Sequence, residues 1–253
     1  MGAPALVSSF GLDTYEVTVG RFRAFVEAGF GTRGSPPAAG AGAHPRLLGS
    51  GWEDAWNMNL ALDRADLVAG VKCQSTHQTW TDTPGANESH AMSCVTWYEA
   101  MAFCIWDGGY LPTEAEWNYA ASGGAEQRVY PWSDPASSTA IDCPYANYRP
   151  GRFCVNDPVG AVSQVGRESS RGAGRWQHVD LAGNVYEWTL DWYRTSYPVP
   201  CDDCANLTLA TDRVLRGGSF DLDASSLRAA FRYYLTPSGR DYSVGFRCAR
   251  SAP

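Results

Sequence analysis

Eight cysteines, at positions 73, 94, 104, 143, 154, 201, 204 and 248, constrain this chain more than any other feature. The set is even and shows no metal-finger spacing, so disulfides are the expected use of the thiols. That implies an oxidising setting, extracellular or periplasmic. Cys201 and Cys204 have the C-x2-C spacing of a metal or redox site. However, Pro198, Pro200 and the adjacent Asp202 and Asp203 mark an exposed turn whose negative charge raises a thiol's pKa. A small-loop disulfide, or separate partners for the two sulfurs, is the expectation there.

Composition narrows the classes further. With 26 Gly and 15 Pro the chain has many turns and few long helices. Hydrophobic residues make up 44%, and ten Trp, thirteen Tyr and nine Phe give an unusually aromatic core. The formal charge of −7 and the scattering of Arg, with lysine almost absent, exclude a nucleic-acid partner. No run of about twenty apolar residues exists, so no membrane-spanning helix is expected. The opening Met1-Gly2-Ala3-Pro4-Ala5-Leu6 lacks the apolar run of an export signal and the Ser or Thr of a myristoylation site. An exported chain is therefore expected to have lost its signal.

Along the chain, Leu12 to Val17 reads as a short strand. Thr18 then caps a helix with Phe22, Phe25 and Val26 on one face, ended by Gly29 and Gly31. The Gly/Ala/Pro-rich stretch 31–51 reads as loop. Residues 52–71 have mixed spacing and carry only a weak helical pattern. Two capping boxes are the clearest local features: Thr96 with Glu99, and Thr113 with Glu116. The first opens a helix carrying Met101, Cys104 and Ile105 to the core and stopped by Gly108-Gly109. The second runs through Trp117 and Ala121 to Gly123-Gly124. Strand-like runs follow at Val185–Trp192, Arg213–Arg216 and Val244–Ala249. Helices early and strands late, without a linker or repeat, predict one α+β domain over 1–253, with its core at about 10–250.

Several of these segments, in this order, resemble the formylglycine-generating-enzyme (sulfatase-modifying-factor) family. The resemblance is carried by Leu12-Asp13-Thr14-Tyr15-Glu16-Val17, by Val95-Thr96-Trp97-Tyr98-Glu99-Ala100 and by Leu111-Pro112-Thr113-Glu114-Ala115-Glu116-Trp117. Further on it is carried by Tyr130-Pro131-Trp132, Gly183-Asn184-Val185-Tyr186-Glu187-Trp188, Arg216-Gly217-Gly218-Ser219-Phe220 and Gly245-Phe246-Arg247-Cys248-Ala249. It implies a compact C-type-lectin-like fold with much irregular structure and bound calcium. It also implies a Cys104–Cys248 bridge. Cys73 with Cys94 and Cys143 with Cys154 are the next pairs by proximity, although spacing alone leaves connectivity open.

The family's enzymes oxidise a peptidyl cysteine with copper(I) and oxygen, the metal held by two thiolates five residues apart after the Gly-Gly-Ser element. Thiolate sulfur is soft and selects copper(I). Here the matching run, 218–228, has no cysteine, and Ala224 stands at a ligand position. Copper is therefore not expected. Positions 121 and 229, cysteines in the eukaryotic-type enzymes, are both alanine. Calcium, which wants hard oxygen ligands, is implied at two places. One set is Asp180, the carbonyls of Gly183 and Val185, and Glu187; the other is Asn147, the Tyr148 carbonyl, Asp157 and the Val159 carbonyl. The plain alternative is that these carboxylates cap loops or pair with Arg167, Arg171 or Arg175.

The tail after the Gly-Gly-Ser element is rich in contact residues: Asp221, Asp223, Arg228, Tyr233, Tyr234, Arg240 and Tyr242. Tyr and Arg dominate binding hot spots. The alternative is that these tyrosines pack the core and these arginines pair with acids. The expectation is a calcium-stabilised ligand-binding or scaffold protein, a monomer with a protein, peptide or small-molecule ligand. An oxidoreductase of the same family is the competing expectation.

Overall fold

The computed structural model describes residues 5–154 and 162–252. Helix α1 (Val19–Glu27) forms as its spacing predicts. The Thr18 hydroxyl accepts the Arg21 amide, and Phe22, Phe25 and Val26 are buried. Both capping boxes are present, opening α3 (Trp97–Trp106) and α4 (Glu114–Ser122). Gly123, at φ +70°, closes α4 in the left-handed conformation. Between α1 and α3 in sequence, the stretch 52–71 divides. Asp54–Asn59 is a 3-10 turn, and α2 (Arg64–Gly70) starts where the Asp63 carboxylate accepts two amides. A fifth helix, α5 (Ser169–Gly172), is a single turn.

Among the described residues, eight strands, mostly short, complete the fold: β1 (Ala5–Leu6), β2 (Phe10–Leu12), β3 (Tyr186–Trp192), β4 (Cys201–Asp202), β5 (Arg213–Arg216), β6 (Tyr233–Leu235), β7 (Val244–Gly245) and β8 (Ala249–Ser251). The main sheet has the order β6-β5-β3-β7, with β3 antiparallel to β5 and parallel to β7. β2 pairs antiparallel with β8, and β1 parallel with β4.

Two predicted strands are displaced. The first lies at Phe10–Leu12 rather than Leu12–Val17, because the Thr14 carbonyl turns away to the Val179 amide and the Arg247 guanidinium. Residues Asp13 and Val17 still bond to the carbonyls of Cys248 and Phe246. The run Val244–Ala249 splits into β7 and β8 for the same reason, since those carbonyls are spent on the 13–17 segment. The pairings of β1, β4 and β6 have no signal in the hydrophobic pattern.

The core is aromatic, as composition implied. Phe22 stacks on Phe103 at 5.9 Å, and Phe246 meets Phe103 edge-on at 5.3 Å. All three are fully buried, each worth about 1.5–3 kcal/mol in area removed from water. All eight cysteines are bridged: Cys73–Cys94, Cys104–Cys248, Cys143–Cys154 and Cys201–Cys204. The Cys104–Cys248 bridge ties α3 to the chain's last strands across 144 residues. A closure of that length is worth roughly 4–5 kcal/mol in chain entropy.

Candidate functional site

The site is built on the loop that leaves β5. Gly217 and Gly218 have φ of +94° and +71°, and a Cβ on Gly218 would stand 2.7 Å from the Ser226 carbonyl. Only glycine allows the chain to fold back this tightly. Ser219 and Phe220 are thereby buried, and the Phe220 amide reaches the Asn184 carbonyl. Asp221 accepts the Ser219 hydroxyl at 2.6 Å and the Tyr242 hydroxyl at 2.9 Å. Burial and this carboxylate push the Tyr242 phenol up to about 12. Asp223 caps the 3-10 turn Ala224–Leu227 through the Ser225 amide and hydroxyl, which hold its carboxyl below the usual range. The Ala224 carbonyl accepts the Tyr130 hydroxyl at 2.8 Å, and Ala224 packs against Tyr130 and Leu227. What stands at that turn is a methyl group in an apolar cluster.

A second feature lies beneath this loop. Glu16, Glu168, Asp180 and Glu187 are buried together, with Arg247 among them. Glu187 is committed to that arginine by two bonds of 2.7 Å and also accepts the Trp117 indole at 2.8 Å. The other acids are left short of positive charge. Burial pushes Asp180 up to about 6. Burial, with Asp180 beside it, takes Glu168 to about 7. Burial and the charges of Asp180 and Glu187 raise Glu16 well above the ordinary carboxyl value. Asp180 accepts the Gly166 amide, and Glu16 accepts the Val185 amide and the Asn184 side chain.

Of the first oxygen set expected from sequence, the two carboxylates, Asp180 and Glu187, lie in this buried cluster. Glu16 and Glu168 join it, and sequence reasoning missed both. Among the arginines weighed as partners, Arg167 lies 4.0 Å from Glu168, whereas the buried partner of Glu187 is Arg247. In the second set, Asn147 is buried against Asn184, its side chain donating to the Asn184 amide oxygen, and the Tyr148 carbonyl accepts the Cys154 amide. Asp157 and Val159 lie outside the described residues. Among the described residues, Asp13, Asp107 and Cys248 also bring ligand atoms within 4.8 Å of one another. That sulfur is bonded to Cys104, and the two acids face Arg21 and Arg250, so the charges cancel.

The contact residues predicted in the tail divide into three groups. Arg240 is structural: it grips the fully buried Glu99 of the first capping box and the Cys94 carbonyl. Asp221, Asp223 and Tyr242 hold the loop described above, with the His77 ring 5.1 Å from Tyr242. Arg228 is exposed at a second cleft of about 290 Å³, beside Asn118, Gln127 and Arg128. Tyr233 and Tyr234 are surface residues, 47% and 44% exposed. They belong to a comb of stacked rings. Tyr186 meets Tyr233 at 5.4 Å, Tyr233 meets Tyr234 at 5.4 Å, and Tyr234 meets Tyr193 at 4.4 Å.

Arg232 clamps the far end of that comb. Its guanidinium lies 5.0 Å from the Tyr193 ring and 4.3 Å from the Tyr197 ring, and it is held by two bonds to Glu114 on α4. Beyond Tyr197 opens a shallow cleft of about 580 Å³, lined by Arg194, Pro198, Asn206 and Leu207. Tyr186, Tyr193 and Tyr197 were not foreseen. They come from strand β3 and the loop after it, and only the pairing of β6 with β5 brings them beside the tail.

Residues 3–252 match the sulfatase-modifying factor enzyme 1-like domain. The chain belongs to that family. It is 32% identical to a formylglycine-generating enzyme of Streptomyces coelicolor, over 96% of this chain and 78% of the relative. It is 34% identical to the mouse formylglycine-generating enzyme over 64% of this chain, but spans only 44% of that longer protein. The bovine protein named inactive C-alpha-formylglycine-generating enzyme 2 is 33% identical over 62% of this chain and 49% of its own length. Among solved structures, PvdO from Pseudomonas aeruginosa shares the fold, with a TM-score of 0.62 at 20% identity over 98% of this chain and 82% of that one.

As a sulfatase-modifying-factor domain, the chain keeps the family's scaffold. It does not offer the thiolates that the resemblance assigns to copper. No cysteine is free, because every sulfur is in a disulfide. Copper(I) therefore does not fit the residues present. Ala121 and Ala229, the other alanines at expected cysteine positions, pack into one small cluster with Trp117 and Leu181. Where the resemblance places a bridge, this chain has apolar contact.

Proposed function

We propose that this chain is a non-catalytic member of its family, a calcium-stabilised ligand-binding or scaffold domain without formylglycine-generating activity. The observation that carries the reading is the absence of any free thiol in a chain whose relatives' chemistry depends on one. The exposed tyrosine comb supports a binding role, because rigid aromatic side chains give contact area at low entropic cost. The four disulfides support an extracellular or periplasmic setting. Calcium is assigned to Asp180 with the Gly183 and Val185 carbonyls and Glu187, although Glu187 would have to share its oxygens with Arg247. The excess of buried carboxylate around Arg247 supports a cation there, since unpaired buried acids are costly.

The competing reading is an oxidoreductase, favoured by the 32% identity to a formylglycine-generating enzyme over nearly the whole chain. One experiment separates them. The protein is incubated with copper(I), oxygen and a Cys-x-Pro-x-Arg peptide, and the peptide is analysed for aldehyde by mass spectrometry. No aldehyde and no stoichiometric copper are expected. Turnover with one bound copper would replace the proposal with the oxidase reading.

A further inference from the structure

We infer that the Cys201–Cys204 bridge is a reversible thiol–disulfide site whose reduction releases strand β1 from the rest of the domain.

Loop size and access single out this bridge among the four. Its cysteines are 3 positions apart, whereas the other pairs span 11, 21 and 144. The stabilisation a bridge gives by restraining the unfolded chain grows with the loop it closes, so this one gives the least. A bridge on which the fold depends little is protected little by the fold against reduction. Cys204 is half-buried, and its neighbours Pro200 and Asp202 are exposed, so a reductant can reach the sulfur. Cys94, Cys104 and Cys248 are fully buried. Cys143 and Cys154 are also half-buried, but they close the longer loop. The C-x2-C spacing then keeps the two thiols together after reduction, with Cα atoms 4.9 Å apart in the bridged form, so reclosure is intramolecular.

What the bridge holds is a turn that grips β1. Asp203 has φ +45°, in the left-handed region that a side chain disfavours. In that conformation its amide donates to the Leu6 carbonyl at 2.9 Å. Its carboxylate accepts the Ser8 amide at 2.6 Å and the Ser8 hydroxyl at 2.7 Å. Ala5 and Leu6 pair with Cys201 and Asp202, and among the described residues β1 has no other strand partner. Leu6 is 69% exposed, so burial adds little to that hold. Past Cys204 the chain is anchored separately. The Asn206 amide donates to the buried Asp191, and its side chain donates to the Trp192 carbonyl at the end of β3. Opening the bridge therefore frees the turn and β1, while Asn206 stays on the main sheet.

The reductant is a dithiol. One of its thiolates attacks the Cys204 sulfur, and the Cys201 sulfur leaves and takes a proton. The second thiol of the reductant then displaces Cys204 from the mixed disulfide. Two electrons and two protons pass to the protein, and the dithiol becomes a disulfide.

The test poises the full chain in mixtures of reduced and oxidised dithiothreitol, alkylates the free thiols and maps them by peptide mass spectrometry. Cys201 and Cys204 should be labelled together at a reduced-to-oxidised ratio about tenfold or more below that needed for any other pair. Hydrogen exchange on the same samples should speed up about tenfold at residues 5–8, with β3 unchanged. Oxidised dithiothreitol should restore both readouts. Cys201→Ser with Cys204→Ser should show the fast exchange at 5–8 without reductant. Asp203→Asn, with the bridge intact, should loosen the same residues. Prior reduction of another pair, or reduction of Cys201 and Cys204 with exchange at 5–8 unaltered, would overturn the inference. So would a failure to reoxidise.

Discussion

Two sets of aromatic rings in this protein obey different rules. In the core, Phe22, Phe25, Phe103, Trp106 and Phe246 meet at many angles, from 17° to 81°, and fill space in every direction. On β6 and its neighbours the tyrosines meet at 18° to 35°, and two of them are partly wet. The first arrangement is what close packing demands. The second is not needed to exclude water. Aromatic residues here thus take two arrangements, one that packs the interior and one that lies partly at the surface.

Several outcomes can break or sharpen that contrast. The largest effect belongs to the buried frame: replacing Cys104 and Cys248 together with Ser should cost roughly 4–5 kcal/mol of stability in urea unfolding. Phe103→Ala, in the middle of the core, should cost about 3–5 kcal/mol. Tyr233→Ala or Tyr234→Ala should cost well under that, about 1 kcal/mol or less, in the same assay. Equal losses at the comb and the core would make the tyrosines structural.

Calcium should matter next. Its addition to chelator-treated protein should raise the melting temperature, and Asp180→Ala should remove the rise. A melting temperature indifferent to chelator would remove calcium from the proposal.

The smallest effect is a pH slope. Asp191 is fully buried, holding the amides of Glu114 and Asn206, and burial with Glu114 nearby pushes its carboxyl up to about 7. The folded form therefore binds this proton more tightly than the unfolded chain, whose carboxyl titrates near 4. Its contribution falls as pH rises from about 4 through about 7 and is flat above. His178, pushed by burial down to about 4, acts in the opposite sense between about 4 and its unfolded value near 6.5. Asp191→Asn should flatten the decline of melting temperature between about pH 5 and 7, the upper part of this window.

Much of this was legible in the residues. Thr96 and Thr113 with their partner glutamates announced two helices, because a capping box is a local bargain that needs no distant partner. The Cys104–Cys248 bridge came with the family resemblance, and the alanine at 224 stood in plain view. What was hidden is long-range. The commitment of Glu187 to Arg247 and of Arg240 to Glu99 joins residues 60 and 141 positions apart. The comb gathers Tyr186 and Tyr193 from one strand region and Tyr233 and Tyr234 from another, and only a sheet register makes them neighbours. Likewise, the tail's tyrosines and arginines looked alike in sequence. Burial separates Arg240, sealed on a capping glutamate, from Tyr233, open to solvent.

The pairing of β2 with β8 has a consequence for synthesis. Strand β2 is synthesised well before β8, the strand it pairs with. The Asp13 and Val17 amides wait for the same late segment. Until it arrives, the early helices have only part of their shelter. Such a domain gains little from folding piecemeal, and its maturation waits for the synthesis of β8 and for the oxidation of Cys248.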